Sequence, residues 1–214
     1  STIDGDLTLT SGNDITDSGT VTVGGNLLVT TDDNSGLINL GTLAVDGTVA
    51  LATNRSGNAT VVNDAGLQLA ASTVGGNLIA TAATGNMTDS GNLTITGTSS
   101  FTTSATDATI TLNNANAFTG AVSLNTTGSS GNATVVDASG LDLGASTVGG
   151  NLAATATTGN MTDSGNLTVT GTSSFTTSAN NATITLNNTN VLTGAVTITT
   201  NDDSGTDADV TLDN

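Results

Sequence analysis

The stretch GNLIATAATGNMTDSGNLTITGTSSFTTSATDATITLNNANAFT at 76–119 returns as GNLAATATTGNMTDSGNLTVTGTSSFTTSANNATITLNNTNVLT at 150–193, with eight differences over 44 positions. The same offset of 74 relates Asn58 to Asn132 and Phe101 to Phe175. A diverged copy opens the chain, where GDLTLTSGNDITDSGTVTVG at 5–24 matches the start of the unit. Self-similarity of this kind marks an architecture in which each unit buries its apolar side only against its neighbours. The 214 residues therefore read as one solenoid segment with units 5–75, 76–149 and 150–214, the last incomplete.

A unit of 74 residues is too long for one coil, and glycine supplies the punctuation. Taking Gly5, Gly25, Gly47, Gly76, Gly97, Gly120, Gly150, Gly171 and Gly194 as coil starts gives spacings of 20, 22, 29, 21, 23, 30, 21 and 23. The order short, medium, long predicts three coils per unit and eight to nine coils in all. Within each coil, apolar residues alternate with Thr, Ser and Asn, the period of a half-buried strand. That period assigns Leu78, Met87, Leu93, Ile95, Phe101, Ile110, Leu112, Phe118, Val122, Leu124, Val135, Leu141 and Leu143 to the interior. Exchanges between copies are apolar at these places (Ile95 with Val169, Phe118 with Leu192), while Ile79, assigned outward, becomes Ala153.

Composition agrees with an all-β parallel solenoid. Thr, Val and Ile are strand formers, and every one of the 18 acids is Asp, so Glu and Lys, strong helix formers, are missing. A hydrophobic fraction of 35% with mean hydropathy of +0.10 separates the chain from disordered polar tracts.

The absences narrow function. Without His, Cys, Lys, Glu or Tyr, few general acids, bases or nucleophiles remain, so no enzymatic activity is expected. A net charge of -17 with Arg55 as the single basic side chain argues against nucleic acid and anionic lipid partners. No apolar run approaches the roughly 20 residues of a membrane-spanning helix, so membrane insertion is not expected.

The runs GNLTITG, GTSSFTTS and GNATVV, with their Thr, Asn, Gly and Asp excess, resemble the repeat regions of large secreted bacterial β-helix adhesins, namely filamentous-haemagglutinin-like exoproteins and autotransporter passengers with β-strand repeats. The resemblance spans the whole chain. It implies a right-handed parallel β-helix exposed at the bacterial surface or outside the cell, serving adhesion, a biofilm matrix or a surface layer. The partners to expect are then another copy or the rest of a longer chain, end to end, and a host or cell-surface ligand.

Four motifs compete with this reading. Asp32-Asp33 and Asp202-Asp203 offer adjacent oxygen ligands for Ca²⁺, making a Ca²⁺- or carbohydrate-binding module the alternative function. Neither pair has the spacing of an EF-hand or of a Ca²⁺-binding β-roll, and turn geometry alone favours Asp there. The repeated TDSG, with Asp17, Asp89 and Asp163, reads the same way. Ten N-x-S/T sequons are what 25 Asn among 67 Ser and Thr give by chance, since random placement yields about eight. T-x-T pairs such as Thr94/Thr96 and Thr109/Thr111 suggest an ice-binding face, but they fall on different strands of successive coils. Polysaccharide cleavage by paired Asp also needs cationic or aromatic groups that the chain scarcely has.

The inward and outward rows are directly testable. Phe101→Asp places an unpaired charge in the interior and should cost several kcal/mol, whereas Ile79→Asp should be nearly silent. Equal thermal shifts in the two variants would show that the rows are misassigned.

Overall fold

The computed structural model describes residues 1–32, 35–201 and 208–214. Among these residues there are strands and turns and no helix. All strand pairings are parallel, and each joins a strand to one lying about a turn earlier or later in the chain. A turn takes 19 residues from Ala59 to Leu78, 21 from Leu78 to Ser99 and 23 from Ser99 to Val122.

Each turn crosses the rod twice, once in each of two facing sheets. The first sheet stacks Thr2–Ile3, Val21–Val23, Ile38–Val45, Ala59–Asn63, Leu78–Ala82, Ser99–Thr106, Val122–Thr127, Leu141–Leu143, Met161–Asp163, Ile184–Leu186 and Val210–Leu212. The second stacks Leu7–Ser11, Leu27–Thr31, Thr48–Ala52, Leu67–Leu69, Met87–Asp89, Ile110–Phe118, Ala133–Asp137, Leu152–Ala156, Ser173–Asn180 and Val196–Asn201. Some rungs break into two strands, as where Met87–Asp89 is followed by Leu93–Ile95 in the same sheet. Ten rungs in the second sheet make nine turns, or about 43 Å of rod at strand spacing.

The all-β parallel solenoid expected from the repeat is therefore present, but the three-coil division of the unit is corrected. From Leu78 the strand groups open at 78, 87, 99, 110, 122, 133 and 141 before the next copy opens at 152, alternating between sheets throughout. Seven crossings are three and a half turns. Equivalent strands of successive units consequently lie in opposite sheets: Leu7–Ser11 in the second, Leu78–Ala82 in the first, Leu152–Ala156 in the second.

Glycine misled because it marks a corner, and each turn has two. Gly25 donates its N–H to Gly5 and Gly47 to Gly25, forming one column. The next column, in which Gly76 bonds to Gly57 and Gly97 to Gly76, precedes the other sheet. The 29- and 30-residue spacings step from one column to the next, so each spans about one and a half turns. Only glycine fits these columns: a Cβ on Gly97 would stand 2.7 Å from the Gly76 carbonyl oxygen, and one on Gly120 would be 2.5 Å from that of Gly97.

The core lies between the sheets. All thirteen residues assigned inward are buried, none above 2% exposed, and Ile79 is 48% exposed. Phe101 of the first sheet meets Phe118 of the second edge to face, with ring centroids 5.8 Å apart, spanning the interior. Outside, side chains line up in columns such as Thr88, Thr111, Thr134, Ala153, Ser174 and Thr197. Among the described aspartates only Asp142 points outward from a strand, so the sheet faces are nearly neutral and the acidic groups gather at the corners.

Deleting 76–149 should leave a shorter rod. The junction places Leu152 over Ala59, which covers the same ground under Leu78 that Ala133 covers under Leu152. Everything downstream turns by half a revolution and no pairing is lost. Circular dichroism per residue should be unchanged, and loss of the β signal would refute the assigned register.

Candidate functional site

The chain's chemistry-bearing side chains are Asp and Asn, and they occupy three kinds of position. At the corners preceding many rungs, Asn and Asp carboxamide or carboxylate oxygens accept a backbone N–H from the next turn. Asn26 accepts from Thr48 at 2.9 Å, Asn77 from Thr98 at 2.8 Å and Asn151 from Thr172 at 2.8 Å, while Asp6 accepts from Asn26 at 2.7 Å. Four sequon asparagines, Asn58, Asn86, Asn132 and Asn160, are used in the same way. Their spacing follows from the repeat and from this ladder.

The TDSG aspartates form the second class. Asp89 accepts the N–H groups of Asn113 and Asn114 and the side-chain amide of Asn116 at 2.7 Å. Asp163 does the same one unit later with Asn187, Asn188 and Asn190. Asp17 holds Gly41 and Thr42, taking the Thr42 hydroxyl at 2.8 Å. Each carboxylate thus fastens the bulged stretch of the turn above it, where exposed backbone donors would otherwise lack partners. Partial burial pushes the Asp17 carboxyl up, but the bonds from Thr42 and Gly41 outweigh it and hold it below the ordinary aspartate value. The three lie three and a half turns apart, roughly 17 Å along the axis, and on alternate sheets, so they share no ligand.

The third class is internal. Asn63, Asn116, Asp137 and Asn190 are each 3% exposed or less, among apolar side chains. They sit where the adjacent strand's N–H has no regular partner. Asn116 accepts from Leu93 and Asn190 from Leu167, both at 2.8 Å, and Asn63 accepts from Val45 at 2.8 Å. Asn63 also donates its amide to the carbonyls of Val45 and Gly66. These residues were readable from parity: Asn116 continues the inward series Ile110, Leu112, and Asn63 the series Ala59, Val61. Only their polarity made them look external.

Asp137 occupies in the second unit the place of Asn63 in the first. It accepts from Phe118 at 3.3 Å and from the Ser139 N–H and hydroxyl at 2.9 Å, but as a carboxylate it cannot donate as Asn63 does. Burial raises its carboxyl above the ordinary aspartate value, against the lowering effect of those hydrogen bonds.

Of the residues proposed to hold Ca²⁺, Asp32 stands at the corner after Leu27–Thr31, its N–H bonded to the Ser11 carbonyl at 3.0 Å. Asp33, Asp202 and Asp203 lie outside the described residues. Among the described residues no three Asp side chains group as a metal site would require. The T-x-T pairs do not form a common face: Thr94 and Thr111 lie in the second sheet and their copies Thr168 and Thr185 in the first, while Thr96 and Thr109 fall at corners. Arg55 adopts a left-handed conformation, φ 52°, at a corner that the buried Thr53 closes by donating to the Gly57 carbonyl.

Three successive stretches, 1–54, 56–125 and 130–199, match one family model, DUF5649, described as repeats of unknown function. No curated protein and no solved structure matches the chain.

The Asp137 carboxyl supplies a pH test. Because its folded value is raised, its contribution to stability is present below the ordinary carboxyl value near 4 and is lost as pH rises through the raised value. Asp137→Asn should therefore raise the melting temperature at pH 7 by about 2–4 °C, the shift that about 1 kcal/mol brings at this chain length, and by less at pH 4. A gain independent of pH would show that the carboxylate is not the source.

Proposed function

Since the chain belongs to the DUF5649 family of repeats, we propose that its function is mechanical: an extended structural segment, the shaft of an adhesin, surface filament or matrix fibre outside the bacterial cell. The observation that carries this reading is the use made of the polar side chains. Asp17, Asp89 and Asp163, the corner asparagines and the internal amides all bind neighbouring turns to one another. Groups that would serve a ligand in a binding module here serve the rod.

Architecture supports the same reading. Each rung is covered by a similar one, so length is gained by adding units without redesigning a core, and stability is a sum over neighbours. Acidic corners keep rods apart at low ionic strength, while the near-neutral faces carry the Thr and Ser columns. Secretion and adhesion come from the resemblance to bacterial β-helix exoproteins and belong to the proposal. No catalytic role and no resident cofactor are part of it.

Calcium or a carbohydrate at the corners is the competing reading. Isothermal titration with CaCl₂ and with simple sugars at millimolar concentration should show only heats of dilution, and melting temperature should not move. A saturable isotherm together with a rise in melting temperature would overturn the mechanical reading in favour of a binding module.

A further inference from the structure

Among the described residues, two buried side-chain oxygens have no hydrogen-bond partner, the hydroxyls of Ser99 and Ser173. They are copies of one position, 74 residues apart, and each opens its rung, Ser99–Thr106 in the first sheet and Ser173–Asn180 in the second. Both point into the core, at 2% and 1% exposure. Ser99 is stacked between Leu78 of the turn before and Val122 of the turn after, and Ser173 between Leu152 and Val196. None of these four neighbours has a polar side chain. A hydroxyl held away from water without a partner costs free energy, which is recovered as soon as water reaches it.

We infer that these two rungs are built-in opening points, where the rod parts first and closes again. The inference rests on the mechanical reading and adds to it the place at which the shaft yields. Packing accounts for a small residue in this slot but not for a hydroxyl. The first unit has Leu27 and Val29 in the inward slots that hold Ser99 and Phe101 in the second and Ser173 and Phe175 in the third. Both rings are fully buried, so the volume given up at the first slot is taken at the next, and alanine would serve that exchange equally well.

Other inward serines show the contrast. Ser72 accepts the Leu51 N–H at 3.0 Å and donates to the Ala70 carbonyl at 2.8 Å, and Ser146 does the same with Leu124 and Gly144 at the same distances. Those hydroxyls bind one turn to the next, whereas the hydroxyls of Ser99 and Ser173 oppose closure. Their rungs are also weakly laddered to the turn after. Register shifts between Thr102 and Thr106, and between Thr176 and Asn180, so continuous pairing covers only Ser99–Thr102 and Ser173–Thr176. The two rungs lie on opposite sheets, so the bends produced by their opening oppose one another. The turn from Ser99 to Val122 takes 23 residues, and unrolling it releases up to about 75 Å of chain.

Native-state hydrogen exchange reads such opening locally. In Ser99→Ala the amides of Ser99–Thr102 should exchange about tenfold more slowly than in the unaltered chain, with no change at Ser173–Thr176, and Ser173→Ala should do the converse. Ser146→Ala, which removes a partnered hydroxyl, should instead speed exchange at Leu124. Circular dichroism should be the same in all three variants. Unchanged or faster exchange in Ser99→Ala and Ser173→Ala would overturn the inference, because the hydroxyls would then be neutral or binding. Stretched between two beads, the unaltered chain should lengthen reversibly at lower force than the Ser99→Ala, Ser173→Ala double variant, and equal forces would overturn the inference as well. Either failure leaves the structural reading standing, since the ligand titrations test that reading separately.

Discussion

Parallel pairing to a strand one turn away is the constraint on which everything else depends. A parallel ladder must satisfy its backbone donors and acceptors with strands that the chain reaches only after a full circuit, so the circuit length has to stay within the few residues that corners can absorb. Turns of 19 to 23 residues, and one of 26 from Ile184 to Val210, meet this requirement. Where a rung is interrupted or bulged, the ladder is repaired by side chains: Asn116 answers the N–H of Leu93, and Asp89 those of Asn113 and Asn114. The abundance of Asn and Asp follows from that repair work.

The repair takes different chemical forms in the first and second units. Asn63 and Asp137 fill the same internal position, and the amide both donates and accepts where the carboxylate only accepts. Ser99 and Ser173 show a related divergence. They carry buried hydroxyls with no partner in an inward slot that the first unit fills with Leu27. The second and third units share both hydroxyls because they are the most recent copies of one another by sequence.

Alternation alone disclosed the interior, because a residue's parity along a strand fixes its side of the sheet, and thirteen apolar positions from Leu78 to Leu143 could be read in that way. The fold class was legible for the same reason, joined to the repeat. Coil boundaries were not. Gly47, Gly76, Gly120 and Gly150 look alike in sequence, yet Gly47 closes one column and Gly76 belongs to another, and no local feature tells one edge of the rod from the opposite edge. The internal amides were half legible: parity put Asn63 and Asn116 inside while residue chemistry argued for the surface. The functions of the TDSG carboxylates depend on partners 24 to 27 residues away, beyond the reach of motif reading.

An odd number of sheet crossings per unit has a consequence for anything that recognises the rod from the side. A partner lying along one face meets a given side chain in every second unit only, after 148 residues and seven whole turns, or about 34 Å. The opposite face presents the same sequence displaced by half that distance. Duplication of a single unit therefore enriches both faces alternately, and a lengthening rod of this kind acquires no side on which an inherited surface feature is absent.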